Sequence, residues 1–296
     1  MIGRVVGVLG PRIEIEAEEQ VISAVVSGRA KYDSRGVSLI AVGDYVEYAC
    51  KLNNLTKIER VLERKSCISR PAIEKEGLIQ VIVSNIDRLV AVISLANPEF
   101  RPGLVDRYLI VAFKEKIPPV IVVNKADLAD PSEISIYIEA WKKLGCEVLF
   151  TSAVTGQGIG ELSKIMAKGT SVITGHSGVG KSSIINHINP KLKIKTAKLS
   201  LYSRKGVHTT SRVTLFKLFP EGWVADTPGL KDLGLAGVDK KTLHRYFPDF
   251  SDLEAYCQFD NCVHVNEPDC AIKKAVIAKK IAEFRYQSYL RIYESL

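Results

Sequence analysis

Up to residue 65 the chain alternates apolar and polar residues in short runs, at 4–9, 12–16, 21–26, 44–48 and 55–62. Gly10-Pro11, Gly28, Gly36 and Gly43-Asp44 separate them. Short strands with no helical spacing predict a small β-barrel. Five strands at this size suit an OB-fold, and an SH3-like barrel shares the pattern. Residues 64–71 read as a linker that ends on the helix-breaking Pro71.

From residue 78 the pattern changes. Apolar strand-like runs at 87–96, 119–123, 147–150 and 171–174 alternate with helical spacing at 105–113, 134–144, 158–167 and from 182. A hairpin is predicted from 213–218 and 222–225. Such alternation implies an α/β region with a mostly parallel sheet covered on both faces. Beyond 236 the chain reads as helical and charged. Three domains are expected: a barrel at 1–68, an α/β domain at 69–235 and a helical domain at 236–296.

Composition narrows the class. The 296 residues are 46% hydrophobic and 25% charged, as in a soluble protein with a real core. The longest apolar runs, such as 89–95, are strand-sized and too short to span a bilayer. The first residues are strand-like and carry no charged head, apolar core and small-residue cleavage site. A cytoplasmic monomer that avoids membranes is expected. The net charge of +8 and a pI near 9.1 favour an anionic partner, nucleic acid before membrane. Six cysteines in a reducing compartment argue against structural disulfides. Cys50, Cys67 and Cys146 are scattered; the other three cluster.

Gly175-His176-Ser177-Gly178-Val179-Gly180-Lys181-Ser182, followed by Ser183, has the spacing of a phosphate loop. Its glycines let backbone N–H groups face phosphate oxygens at a helix N-terminus. Lys181 would bridge the β- and γ-phosphates, and Ser182 would ligate Mg²⁺. Asp226-Thr227-Pro228-Gly229 follows a strand, so Asp226 would hold Mg²⁺ through water and the Gly229 N–H would meet the γ-phosphate. Asn124-Lys125-Ala126-Asp127 ends another strand. The Asp127 carboxylate can accept two hydrogen bonds from guanine, which adenine cannot offer. Ser152 and Ala153, after Thr151, would support the base through backbone N–H groups.

The order of these motifs is the reverse of an ordinary GTPase, in which the phosphate loop comes first. A circularly permuted P-loop GTPase domain explains it. Between phosphate loop and Asp226, either Thr209 or Thr210 would close over the nucleotide onto Mg²⁺ and the γ-phosphate. Leu230 stands where many GTPases carry a water-orienting glutamine. His208 is the nearest group able to take that role, and an exposed loop histidine is the competing reading.

Cys257-x4-Cys262-x-His264-x5-Cys270 supplies three thiolates and an imidazole, the ligands of a closed structural zinc site. A disulfide with one odd thiol is the alternative. In 272–296, Phe284, Tyr286, Tyr289 and Tyr293 interleave with lysines and arginines. They could stack on RNA bases. Their spacing fits better a helix packing its apolar face on the Cys/His region.

A barrel, a permuted G domain and a Cys/His module, in that order, resemble the RsgA family (also called YjeQ or YloQ). NKAD, TSA, GHSGVGKSS, HTT, DTPG and the C-x4-C-x-H-x5-C spacing carry the resemblance over essentially the whole chain. It implies an N-terminal OB-fold, GTP hydrolysis that is weak alone and faster on the small ribosomal subunit, and contact with ribosomal RNA late in maturation. It also implies a catalytic histidine at His208. Val207 and Ser211 depart from the arginine and threonine that usually flank the His-Thr-Thr core, with a minor effect expected on that loop. Two other readings remain: a GTP-regulated RNA-binding chaperone with negligible turnover, and an ATP-dependent small-molecule kinase, which Asn124 and Asp127 disfavour.

Overall fold

Period-two alternation near the N-terminus becomes β1 (Ile2–Leu9), β2 (Arg12–Ala17), β3 (Gln20–Val26), β4 (Tyr45–Cys50) and β5 (Thr56–Val61). The structure is a computed structural model that describes residues 1–26, 33–50, 56–72, 77–194, 213–226 and 235–296. Every second residue of these strands points inward, and Val5, Ile13, Ile15, Val46, Tyr48 and Ile58 build the barrel core. β1 pairs antiparallel with β2 and β4, β2 with β3, and β4 with β5, while β3 runs parallel to β5. That closed Greek-key order is the OB-fold route, which decides between the two barrels the pattern allowed.

The expected linker is not a linker. Its second half is β6 (Cys67–Pro71), paired antiparallel with β7 (Ile79–Ser84) in a separate two-stranded sheet. Ile68 and Val83 are fully buried and join the largest core cluster. β6 contributes one deeply buried side chain, too few for its alternation to be read from sequence. Asp44, fully buried, fastens this hairpin to the barrel: it takes a forked pair from Arg64 at 2.7 and 2.8 Å and the Ser84 hydroxyl at 2.6 Å.

The α/β alternation then follows as β8 (Arg88–Ser94), α1 (Pro102–Lys114), β9 (Pro119–Asn124), α2 (Ser135–Lys143), β10 (Glu147–Thr151), α3 (Ile159–Met166), β11 (Lys168–Thr174), α4 (Lys181–Ile188), β12 (Thr214–Lys217) and β13 (Glu221–Asp226). The strands lie in the order β10-β9-β8-β11-β13-β12. All neighbours are parallel except the β12–β13 hairpin. Both faces are covered, so β8 is buried almost end to end. Val90, Val92 and Ile173 pack on Leu162 of α3 and Ile184 of α4. Leu89, Ala91 and Val172 face the opposite way, onto Tyr108 and Ala112 of α1.

The barrel is sewn to this sheet. β1 pairs with β12 at Gly7 and Thr214, which makes one eleven-stranded sheet. Beside the seam, the buried Arg4 guanidinium donates to Thr170 Oγ1 and lies over the Tyr45 and Trp223 rings, 5.2 and 5.1 Å from their centroids. Lys217 and Glu16 add an ion pair at 3.0 Å.

The C-terminal region holds α5 (Pro248–Glu254), α6 (Ala271–Ile277) and α7 (Glu283–Ser295). α7 packs on α1. Arg285 of α7 donates to Asp106 of α1 and makes a bidentate pair with Asp249 of α5 at 2.8 and 3.1 Å. Arg285 and Asp106 are both almost fully buried, which a charge tolerates only when paired.

Candidate functional site

Ligands bind open α/β sheets beyond the carboxyl ends of the strands. Here Asn124 ends β9, Thr151 ends β10, and Thr174 ends β11 and leads into the phosphate loop. Motifs far apart in sequence therefore share one edge of the sheet.

Asn124 joins them. Its buried amide donates to the Val179 carbonyl at 2.7 Å and accepts from Thr151 Oγ1 at 3.0 Å. The phosphate loop fits against it only because of its glycines. A Cβ on Gly180 would strike the Asn124 amide, and one on Gly175 would strike the Val92 carbonyl. Both have positive φ, +97° and +146°, a region that side chains avoid. Lys181 opens α4, and its ammonium donates to the carbonyls of Gly175 (2.7 Å) and His176 (3.0 Å). A tight loop feeding a helix N-terminus under a lysine is suited to an anion. Ser177, Gly178 and Ser183 are exposed, while Ser182 and His176 are half-buried. His176 Nδ1 and the Ser177 carbonyl lie 2.9 Å apart.

The segment expected to read guanine lies alongside. Asp127 is exposed at the sheet edge, with its carboxylate open to a ligand. The Lys125 ammonium donates to the Asn97 carbonyl, and the Ala126 N–H donates to the Thr151 carbonyl at 3.0 Å. Ser152 is buried, and its hydroxyl accepts from the N–H groups of Val154 (3.3 Å) and Thr155 (3.1 Å). The Ala153 carbonyl is 3.1 Å from His187 Nδ1, which braces this loop against α4. Asp226, the first residue of the expected magnesium motif, pairs in register with Ile173, so its own backbone lies beside the phosphate-loop strand. His208, Thr209, Thr210 and Gly229 lie outside the described residues.

The second centre is at the other end of the chain. The side-chain atoms of Cys257, Cys262, His264 and Cys270 lie within 4.8 Å of one another, so the group can hold a metal ion. His264 Nδ1 is 3.6, 3.4 and 3.4 Å from the sulfurs of Cys257, Cys262 and Cys270, and Cys257 and Cys270 sulfurs are 3.9 Å apart. A tetrahedral ion with ligands at about 2.0–2.3 Å would set these edges at roughly 3.5–3.8 Å, so the residues fit the ion. A disulfide needs sulfurs at about 2.05 Å. All three cysteines are free thiols, which removes the disulfide alternative.

Burial pushes the Cys262 thiol up to about 12 and His264 down to about 4, so both favour their neutral forms without a cation to hold. The loop is shaped from outside. Glu267 accepts from the N–H groups of Val263 (2.6 Å) and Val265 (2.9 Å). On α7, Tyr286 donates to the His264 carbonyl at 2.8 Å, and Tyr289 to that of Val263 at 2.6 Å. These tyrosines are buried against the Cys/His loop, so base stacking does not apply to them.

Comparison with known proteins matches residues 61–236 to the model of the RsgA GTPase family. The chain belongs to that family. The small ribosomal subunit biogenesis GTPase RsgA of Chlorobaculum tepidum is 40% identical over 275 residues, spanning 89% of this chain and 88% of its own. YjeQ from Thermotoga maritima superposes with a TM-score of 0.76 at 32% identity, over 100% of this chain and 98% of that one. YloQ, described as a circularly permuted GTPase, gives 0.71 at 26% identity, over 99% and 94%. The permutation inferred from motif order is thus also the architecture of solved RsgA-like structures.

Several supporting residues carry no motif: Asn97 and His187 around the nucleotide loops, and Glu267, Tyr286 and Tyr289 around the metal ligands. Only the helical spacing of 284–293 pointed to any of them.

Proposed function

We propose that this RsgA-family chain binds GTP, hydrolyses it to GDP and phosphate, and acts on the small ribosomal subunit late in its maturation. The observation that carries this reading is the Asn124–Val179 hydrogen bond, which closes a guanine-reading motif onto a phosphate loop despite their inverted order. Asp127 reads the base, with Lys125, Ala126, Ser152 and Ala153 around it. The loop from Gly175 to Ser183 holds the phosphates. Lys181 exchanges its loop carbonyls for phosphate oxygens and offsets charge as the β–γ bond breaks. Ser182, Asp226 and Thr209 or Thr210 would hold Mg²⁺, which supplies further charge neutralisation. His208 orients the attacking water, and the Gly229 N–H meets the γ-phosphate.

Zn²⁺ is the ion expected at the Cys/His centre, because four protein ligands leave no open position and make the site structural. The division into a barrel at 1–68, a G domain at 69–235 and a zinc-binding domain at 236–296 assigns RNA contact to the first and last. The net charge of +8 supports an anionic partner such as ribosomal RNA. Among the described residues no helix is long and apolar enough to cross a membrane. A monomer working in the cytoplasm fits this task.

GTP turnover measured with and without purified small subunits, across a salt series, tests the reading. Strong stimulation that fades as salt rises is expected. Hydrolysis that ignores subunits at every salt concentration would sink it, and single-turnover rates near zero would favour the RNA chaperone.

A further inference from the structure

We propose that the turn after β8, residues 96–98, is a third wall of the nucleotide pocket, and that Asn97 is a positioning residue for Lys125. This rests on the GTP-binding reading above. Since β8 lies between β9 and β11, its exit falls between the guanine-reading segment and the phosphate loop. No nucleotide motif includes it.

The turn touches both neighbours. The Asn97 carbonyl accepts from the Lys125 ammonium. On the other side, Pro98 Cδ is 3.6 Å from the position a Cβ would take on Gly178. The turn is also held at both ends. The Ser94 hydroxyl donates to the Ala96 carbonyl at 2.5 Å, and Phe100 stands edge-on to Tyr137 and Trp141 at 5.0 and 6.1 Å between centroids. Asn97 itself has φ +46°, in the left-handed region that asparagine tolerates and β-branched residues avoid. The residue is therefore chosen for its backbone, which aims a carbonyl at a lysine.

The consequence is preorganisation. A lysine side chain loses much rotamer freedom when it is ordered. Held by Asn97 before the nucleotide arrives, Lys125 has already lost that freedom, and the backbone two residues before Asp127 is steadied with it. Less affinity is then spent on ordering the base side of the pocket.

Nucleotide titrations with a fluorescent GDP analogue test this in the full-length protein. Asn97→Val should weaken GDP about tenfold, because the left-handed backbone becomes costly. Asn97→Gly, which keeps that backbone accessible, should stay within about twofold. In a Lys125→Met background, Asn97→Val should add nothing, because the group it positions has gone. Wild-type affinity in Asn97→Val, or full additivity with Lys125→Met, would overturn the proposal. Should Asn97→Val not fold, Asn97→Ala enters the same cycle under the same criteria. Failure of the wild-type protein to bind GDP would instead overturn the GTP-binding reading.

Discussion

Arg285 and Asp106, 179 positions apart, meet as a buried ion pair that pins the C-terminal helix to the helix following β8. Asp249 completes the triad, and the Phe247 ring lies 4.6 Å from the guanidinium. Removing one member of a buried ionic group strands the others. Arg285→Ala should therefore destabilise the protein by about 3–5 kcal/mol. Urea unfolding should show that loss at low and high salt alike, because buried charges are poorly screened. A change smaller than the surface-pair range would remove the triad from the list of structural anchors.

Asn124→Ala leaves the Val179 carbonyl and the Thr151 hydroxyl without their buried partner. The expected cost is about 1–3 kcal/mol of stability, and GDP affinity should fall at least about tenfold as the two loops lose their joint. Thermal melts and calorimetric titration read the two effects separately. Retained affinity would mean that the loops keep their places without the bridge.

Zinc removal should loosen the C-terminal region first. One equivalent of zinc is expected in the purified protein, and a strong chelator should lower the melting temperature. Since each thiol must release a proton to ligate, apparent zinc affinity should rise from pH 6 to pH 8. Competition with a chromophoric chelator gives that slope. Cys262→Ser should lose the metal while GDP binding persists, and loss of both together would contradict separate centres.

His208→Ala should lower GTP turnover by about 10²–10⁴-fold, the usual worth of a positioned acid–base group. Nucleotide affinity should stay unchanged. Equal turnover in the variant would return the water-orienting role to another group.

Much of this was legible beforehand, for reasons that differ by element. The β8, β9 and β11 strands declared themselves because burial on both faces leaves unbroken apolar runs. The glycines of the phosphate loop, Asp127 and the Cys/His spacing could be read because their chemistry fixes residue type at fixed separation. β6 escaped because a single inward residue, Ile68, carries no period. Asn97 escaped for another reason: what it contributes is a main-chain carbonyl, and only its conformation depends on the side chain. The Arg285 triad was equally hidden, since nothing local marks which of many basic residues will find two carboxylates on distant helices.

The seam at Gly7 and Thr214 has a mechanical meaning. A barrel swinging on a tether would turn independently of the strands that carry the phosphate loop. Stitched edge to edge, with Arg4 wedged behind the stitch, it keeps one orientation to them. Any load that the proposed RNA contact puts on the barrel would therefore reach the nucleotide-bearing strands through main-chain hydrogen bonds and not across a hinge.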